Sequence, residues 1–215
     1  MTHSITHHLT DDLILGYSAG TLPEAVNLIV ATHVSLCDEC RAALAAHDTV
    51  GGSLLDQGTT AAVSDACLDK VMARIRQSGA PERITVHSDP VLPAPLRDYV
   101  GNSLADVKWR PVGMGVKQAI LKTSSEATAR LLYIPAGTAV PDHGHNGLEL
   151  TLVLQGAFSD EDGTFRRGDV EVATDAVEHT PIADISQDCI CLAVTDAPLR
   201  FKGLLPRLAQ PFLGI

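Results

Sequence analysis

Basic residues are scarce in this chain: Lys and Arg number 16 against 26 Asp and Glu, for a formal net charge of -10. The deficit hides no basic module. Up to Arg83 there are 5 Lys+Arg against 10 Asp+Glu, and beyond it 11 against 16. Nucleic-acid affinity comes from neutralising phosphates with Lys and Arg, so direct DNA or RNA binding is disfavoured. An acidic surface suits a basic protein partner instead. Long apolar runs are also missing. None reaches the ~20 residues that span a bilayer, and the opening "MTHSITHHLTDDL" has no positive region followed by an apolar core, so neither a membrane span nor a signal peptide is expected. The expected compartment is the cytoplasm. Disulfides are rare there, and the 5 Cys, an odd number, point to metal binding or redox sensing where they cluster. There is no low-complexity tract, and no repeat of the period that marks solenoids. A hydrophobic share of 45% beside 20% charged residues is ordinary for a chain that buries a core. Its 215 residues suit one large domain or two modest ones, and the pattern along the chain favours two.

From Thr10 to about Gln77 the chain reads as four short helices. Thr10 is an N-cap, with Asp11 and Asp12 in the first turn where the helix dipole favours negative charge, and Gly20 is a stop. Pro23 stands near the start of a second helix, where its missing N–H costs nothing. "CDECRAALAAHDTVGGSLL" gives a third helix. "SDACLDKVMARIRQS" gives a fourth, amphipathic, with Cys67, Leu68, Val71, Met72 and Ile75 on one stripe, and Cys67 reads as a core residue. The stretch 78–96 contains Pro81, Pro90, Pro93 and Pro95, which excludes a regular helix or a central strand and predicts a linker. Beyond it, "ARLLYIPAG", "LELTLVLQGAF", "GTFRRGDVEVA" and "DCICLAVTD" are short strands punctuated by Gly and Pro, the grammar of a sandwich or barrel. The predicted organisation is α+β: a helical domain over 1–80, a Pro-rich linker over 81–96 and a β domain over 97–215.

Two constellations carry chemistry. In "PDHGHNGLELTLVLQG", residues 141–156, His143, His145 and Glu149 share one parity of a strand, while Leu148, Leu150, Leu152 and Leu154 take the other face. Two imidazoles and a carboxylate converging inside a barrel form most of a metal site, with a further ligand due from elsewhere. In "HVSLCDEC", His33, Cys37 and Cys40 stand at H-x3-C-x2-C spacing. A continuous helix puts the three on one stripe, whereas a turn at Ser35 and Leu36 makes the cysteines bracket a helix start; either way three donors meet. Tetrahedral zinc needs one more, and His3, His7 and His8 are at hand. A C-x2-C pair at a helix start can also be a redox pair, but that use lacks a βαβ context and leaves His33 without a role. Cys189 and Cys191, at i and i+2 on one strand face, are either core residues or a thiol pair that senses oxidation. Glu178 reads as a surface carboxylate.

The spacing Gly137, His143, His145, Glu149, Gly156 resembles the first motif of the cupin superfamily. Cupins add a last histidine from a second motif after a "GD" turn. Gly168 and Asp169 supply the turn, and the resemblance assigns His179 as that ligand, although no Pro-x-Gly precedes it and Ala183 stands where many cupins carry Asn. The helical segment is similar to the zinc-binding anti-sigma fold, in which a histidine near the N-terminus precedes H-x3-C-x2-C; His8 best matches that outlying ligand, with His7 as the fallback. The two together resemble the ChrR family of cytoplasmic anti-sigma factors, through "GTLPEAVNLIVATHVSLCDECRA", "QAILKTSSEATARLLYIPAG", "PDHGHNGLELTLVLQGAF" and "DCICLAVTDAPLRF". The resemblance implies a zinc anti-sigma bundle joined to a cupin β-barrel. It also implies two zinc ions, one held by His8, His33, Cys37 and Cys40 and one by His143, His145, Glu149 and His179. The implied partner is an extracytoplasmic-function (ECF) type sigma factor in a 1:1 complex, and the cupin is needed for the response to an oxidative signal such as singlet oxygen. The alternative is an enzyme, a metal-dependent cupin dioxygenase using iron or manganese, for which the H-x3-C-x2-C segment has no use.

Overall fold

The computed structural model describes residues 4–78, 89–144, 146–174, 178–198 and 200–201. Four helices come first: α1 (Asp11–Ser18), α2 (Glu24–Val34), α3 (Asp38–Asp56) and α4 (Cys67–Gln77). Their starts follow the chemistry read from the sequence. The Thr10 hydroxyl accepts the Leu13 N–H at 3.4 Å and Gly20 turns the chain at φ 66°. Pro23 is the N-cap of α2, and Ser35 and Leu36 form the turn that places Cys37 as the N-cap of α3, its sulfur accepting the Cys40 N–H at 3.4 Å.

The prolines after residue 89 do not make a linker. Helix α5 (Ala94–Val100) begins inside the predicted linker, with Pro93 as its N-cap and Pro95 in the first turn, where no backbone donor is lost. Leu92 and Leu96 on this segment are 1% and 0% exposed. Of the predicted linker, residues 81–88 lie outside the described residues.

The strands are β1 (Arg110–Gly113), β2 (Val116–Ile120), β3 (Thr128–Ile134), β4 (His143–Gly144), β5 (Glu149–Gln155), β6 (Ala157–Ser159), β7 (Thr164–Arg166), β8 (Val170–Ala173), β9 (Glu178–His179), β10 (Ile182–Ala183), β11 (Cys189–Thr195) and β12 (Arg200–Phe201). A six-stranded antiparallel sheet runs β1-β2-β3-β11-β5-β8. Two three-stranded sheets, β10-β6-β7 and β12-β4-β9, complete the architecture. Among the described residues the large sheet is not closed into the expected barrel. Its partners across the interior are strands of two and three residues that pair with one another, so no ladder joins β1 to β8.

Both faces of the large sheet are covered, so that six of the seven residues of β5 and all seven of β11 are buried. On the inner face Val153, Cys189 and Cys191 pack with Phe158, Phe165 and Ala183 from the β10-β6-β7 sheet. On the outer face Leu150, Leu152 and Leu154, all 0% exposed, share one core with Leu131, Leu192, Val194, the apolar side of α2 and Leu92 and Leu96. Burying each of those leucines contributes on the order of 1.5–3 kcal/mol. The helices and the sheet are therefore one packed body along α2, and no solvated seam separates them there.

Helix α4 is the exception. None of its residues is buried: Leu68 is 70% exposed, Val71 48%, Met72 38% and Ile75 60%. The expected core position of Cys67 is corrected accordingly, since the stripe it belongs to faces outward and its thiol is half-exposed. The second half of α3 likewise exposes Val50, Leu54 and Leu55. No helix among the described residues is long and apolar enough to cross a membrane.

Candidate functional site

The last turn of α2, the first turn of α3 and the segment before α1 bring His33, Cys37, Cys40 and His8 together. His33 Nε2 lies 3.2 Å from Cys40 Sγ, and His8 Nδ1 lies 3.3 Å from Cys37 Sγ and 3.7 Å from Cys40 Sγ. The four ligand atoms all fall within 4.8 Å of one another. Donors of a tetrahedral zinc, with Zn–S of ~2.3 Å and Zn–N of ~2.0 Å, stand about 3.3–3.8 Å apart. The group fits such an ion. His33, Cys37 and Cys40 are buried, and His8 is half-exposed. His8 presents Nδ1 to the sulfurs while its Nε2 lies 3.4 Å from Glu39 Oε2, so an outer carboxylate fixes the ring. Of the other N-terminal histidines, His7 turns away toward Asp169 and Phe165, and His3 lies outside the described residues.

Burial holds the His33 pKa down to about 4, against a raising contribution from the Gly168 backbone and with added repulsion from His8. Burial pushes the Cys40 thiol up to about 11, opposed by the Leu9 backbone and reinforced by Cys37. The metal-free group therefore keeps a neutral imidazole beside a protonated thiol. Metal binding would displace that proton, which ties affinity to pH.

The second constellation lies on the inner face of the large sheet. Glu149 opens β5 with its side chain inward and buried, and Thr151 Oγ1 donates to its Oε1 at 3.3 Å. His143 and His179 are directly opposed register partners of β4 and β9. The side chain of His143, all of His145 and the side chain of Glu178 lie outside the described residues. His179 is 3% exposed, and its Nδ1 sits 2.8 Å from Glu171 Oε1 and 3.0 Å from Asp160 Oδ2. Burial works against its charge, but the hydrogen bond it donates to Glu171 and the nearby carboxylates, Glu149 included, raise it to about 9. Glu171 goes to about 7, raised first by burial and opposed by its bond to His179. Asp160, despite burial, is held below the ordinary carboxylate range by its bonds to Glu171 and His179. Asp160, Glu171 and His179 form a second group close enough to hold a metal.

Sequence reasoning missed Asp160, Glu171, Arg130 and Gln118. Arg130 is buried, hydrogen-bonded to Gln118 Oε1 at 3.4 Å, with Glu149 as its charge counterpart. Glu171 and Arg130 were findable as ionic residues at inward positions of strands whose neighbours are apolar. Asp160 sits in "SDEDG", which carries only the signature of a surface turn. Cys189 and Cys191 share the inner face as expected; their sulfurs are 3.4 Å apart and buried. The hydrogen bond to Cys189, with burial, pushes the Cys191 thiol well up, so Cys191 is held as a thiol inside the core.

Comparison with known proteins bears on both halves of the chain. Residues 99–198 match the family profile described as the ChrR cupin-like domain. Over 215 residues, 99% of this chain and 100% of the other, it is 58% identical to the anti-sigma-E factor ChrR of Cereibacter sphaeroides. The crystal structure of Rhodobacter sphaeroides SigE in complex with the anti-sigma ChrR superposes with a TM-score of 0.80 at 56% identity, covering 90% of this chain and 100% of that one.

Proposed function

Because the chain belongs to the ChrR family of anti-sigma factors, regulators and not enzymes, we propose that it holds an ECF-type sigma factor in a cytoplasmic 1:1 complex that keeps it from RNA polymerase. The observation that carries this reading is the stripe of α4. Leu68, Val71, Met72 and Ile75 lie along one helix face at 38–70% exposure, and Val50, Leu54 and Leu55 of α3 add to the apolar surface. An amphipathic helix whose apolar face is buried by none of the described residues is laid out for a groove on another protein. The net charge of -10 favours encounter with a basic partner.

In this reading the chain has three parts: an anti-sigma module over 1–80, a connecting segment over 81–96 and a cupin over 97–215. His8, His33, Cys37 and Cys40 hold a structural zinc, which would cross-link the N-terminal segment to the α2–α3 corner. A second zinc belongs to the cupin, on His143, His145, Glu149 and His179, with Asp160 and Glu171 fixing the His179 ring behind it. The cupin serves release of the sigma factor after an oxidative signal such as singlet oxygen. The dioxygenase alternative is set aside, because the family is regulatory.

Co-expression with an ECF-type sigma factor from the same genome tests the reading, followed by size-exclusion chromatography and metal quantitation. A single 1:1 peak with about two zinc per chain is expected, given two four-ligand groups. Separate elution of the two proteins would overturn sigma binding. One iron per chain with oxygen uptake would restore the enzyme reading.

A further inference from the structure

The Asp169 carboxylate is 0% exposed and binds a segment more than 160 residues away in sequence. Its Oδ1 accepts the backbone N–H groups of Thr6 at 2.7 Å and His7 at 3.0 Å, and its Oδ2 accepts the Arg166 N–H at 2.8 Å. The bond then runs the other way, from the Val170 N–H to the His7 carbonyl at 3.2 Å. His7 also lays its ring on Phe165 with centroids 4.3 Å apart, and its Nδ1 is 3.7 Å from Asp169 Oδ1. Gly168, at φ 92°, lies against Ile5 so closely that a Cβ there would strike the isoleucine. The next residue after this fastened stretch is His8.

We infer that the 166–170 turn of the sheet is a working part of the His8–His33–Cys37–Cys40 group: Asp169 is a positioning residue that clamps Thr6 and His7 and so sets His8 against the two sulfurs. The helices' hold on a metal thus depends on the cupin. The same stretch of chain reaches the second group two residues later, where Glu171 engages His179. A shift of β8 cannot disturb one group and leave the contacts of the other untouched. The inference rests on reading the four residues as metal ligands, but the clamp itself can be measured with or without metal.

The test uses the full chain, with Asp169→Ala and Thr6→Pro made singly and together. Thr6→Pro removes the shortest N–H bond to Asp169 and leaves the sheet's sequence intact, which covers the case in which Asp169→Ala fails to fold. Metal release to a chelator is followed by alkylation of Cys37 and Cys40, mapped by mass spectrometry so that the cupin metal does not contribute. Hydrogen exchange is read on the amides of residues 5–9. Each single variant is expected to expose both thiols on the order of tenfold faster, the scale at which outer partners of metal ligands act, and to lose protection at the His7 amide, with Thr6 also losing it in Asp169→Ala. The double variant is expected to add little to Asp169→Ala, since the bond that Thr6→Pro removes is already gone once the carboxylate is lost. Wild-type alkylation and exchange in Thr6→Pro, or fully additive effects in the double variant, would overturn the inference. A wild-type chain purified without zinc defeats the metal reading instead, and the exchange measurement then decides the clamp alone.

Discussion

Ile29, fully buried at 0% exposure on α2, lies in the core that the helices share with β3, β5 and β11. Ile29→Ala removes a buried side chain from a core cluster whose members Leu150, Leu152 and Leu192 are pinned by sheet hydrogen bonds and cannot readily collapse into the space. The cost is expected at about 3–4 kcal/mol, transfer and cavity contributions together. For a chain of this size that corresponds to a Tm lower by roughly 6–16 °C. Two probes divide the molecule. Far-UV circular dichroism follows the helices. Fluorescence follows Trp109, the single tryptophan, which packs edge-on to Tyr133 of β3 with centroids 6.1 Å apart. With wild type and variant at the same metal loading, both probes must report one transition in each protein, displaced by the same amount. If the helical signal falls early while Trp109 melts at its wild-type temperature, the helices and sheet are independent units and the shared core is refuted.

Three further outcomes follow from the site geometry. Met72→Glu and Ile75→Glu, on the exposed stripe of α4, should leave the free chain's stability within about 0.5 kcal/mol of wild type, yet weaken sigma binding at least tenfold in titration calorimetry by placing charge in an apolar contact. Cys40→Ser should reduce zinc by about one per chain, because Cys40 closes the four-donor set with both His33 and His8; plasma emission spectrometry reads the stoichiometry directly, and two zinc per chain in the variant would remove Cys40 from the ligands. Asp160→Asn with Glu171→Gln, which neutralises both partners of His179 Nδ1, should weaken zinc at the cupin group about 10- to 100-fold in chelator competition.

Local chemistry was readable from the chain where it acts through neighbours in sequence. The Thr10 cap, the Gly20 stop, the cysteines at the start of α3 and the alternation of Glu149 against Leu150, Leu152 and Leu154 all depend on contacts a few residues apart. The prolines misled because Pro93 and Pro95 were read as breakers; in the first turn of α5 their missing donors cost nothing, and Leu92 and Leu96 beside them had the composition of core residues all along. The stripe of α4 was recognised as a stripe, but periodicity tells only that a face is apolar and not whether the chain or another protein covers it. Asp160 could not be found, since its contact with His179 spans 19 residues and arises from a turn folding over the inner face. Asp169 was noticed only as half of a turn. Its grip on Thr6 and His7 belongs to the packing of helices on sheet, which no local pattern encodes.

That packing bears on how a regulator of this build can let go. The apolar side of α2 is spent on the sheet, and the N-terminal stretch up to His7 is fastened to the turn before β8, so the sheet controls the part of the bundle that carries the His/Cys group. Helix α4, by contrast, contributes nothing to that core. In the proposed function, holding the partner and receiving a signal would thus fall on different faces of the same bundle. A change inside the cupin need not reach α4 by displacing it. Under the proposed clamp it is enough to move β8, loosen His8 and relax the corner at which α2 meets α3. A signal that acted at the partner-binding face directly would have no need of a buried carboxylate joining residues 6 and 169, and the presence of that contact argues for transmission through the bundle's base.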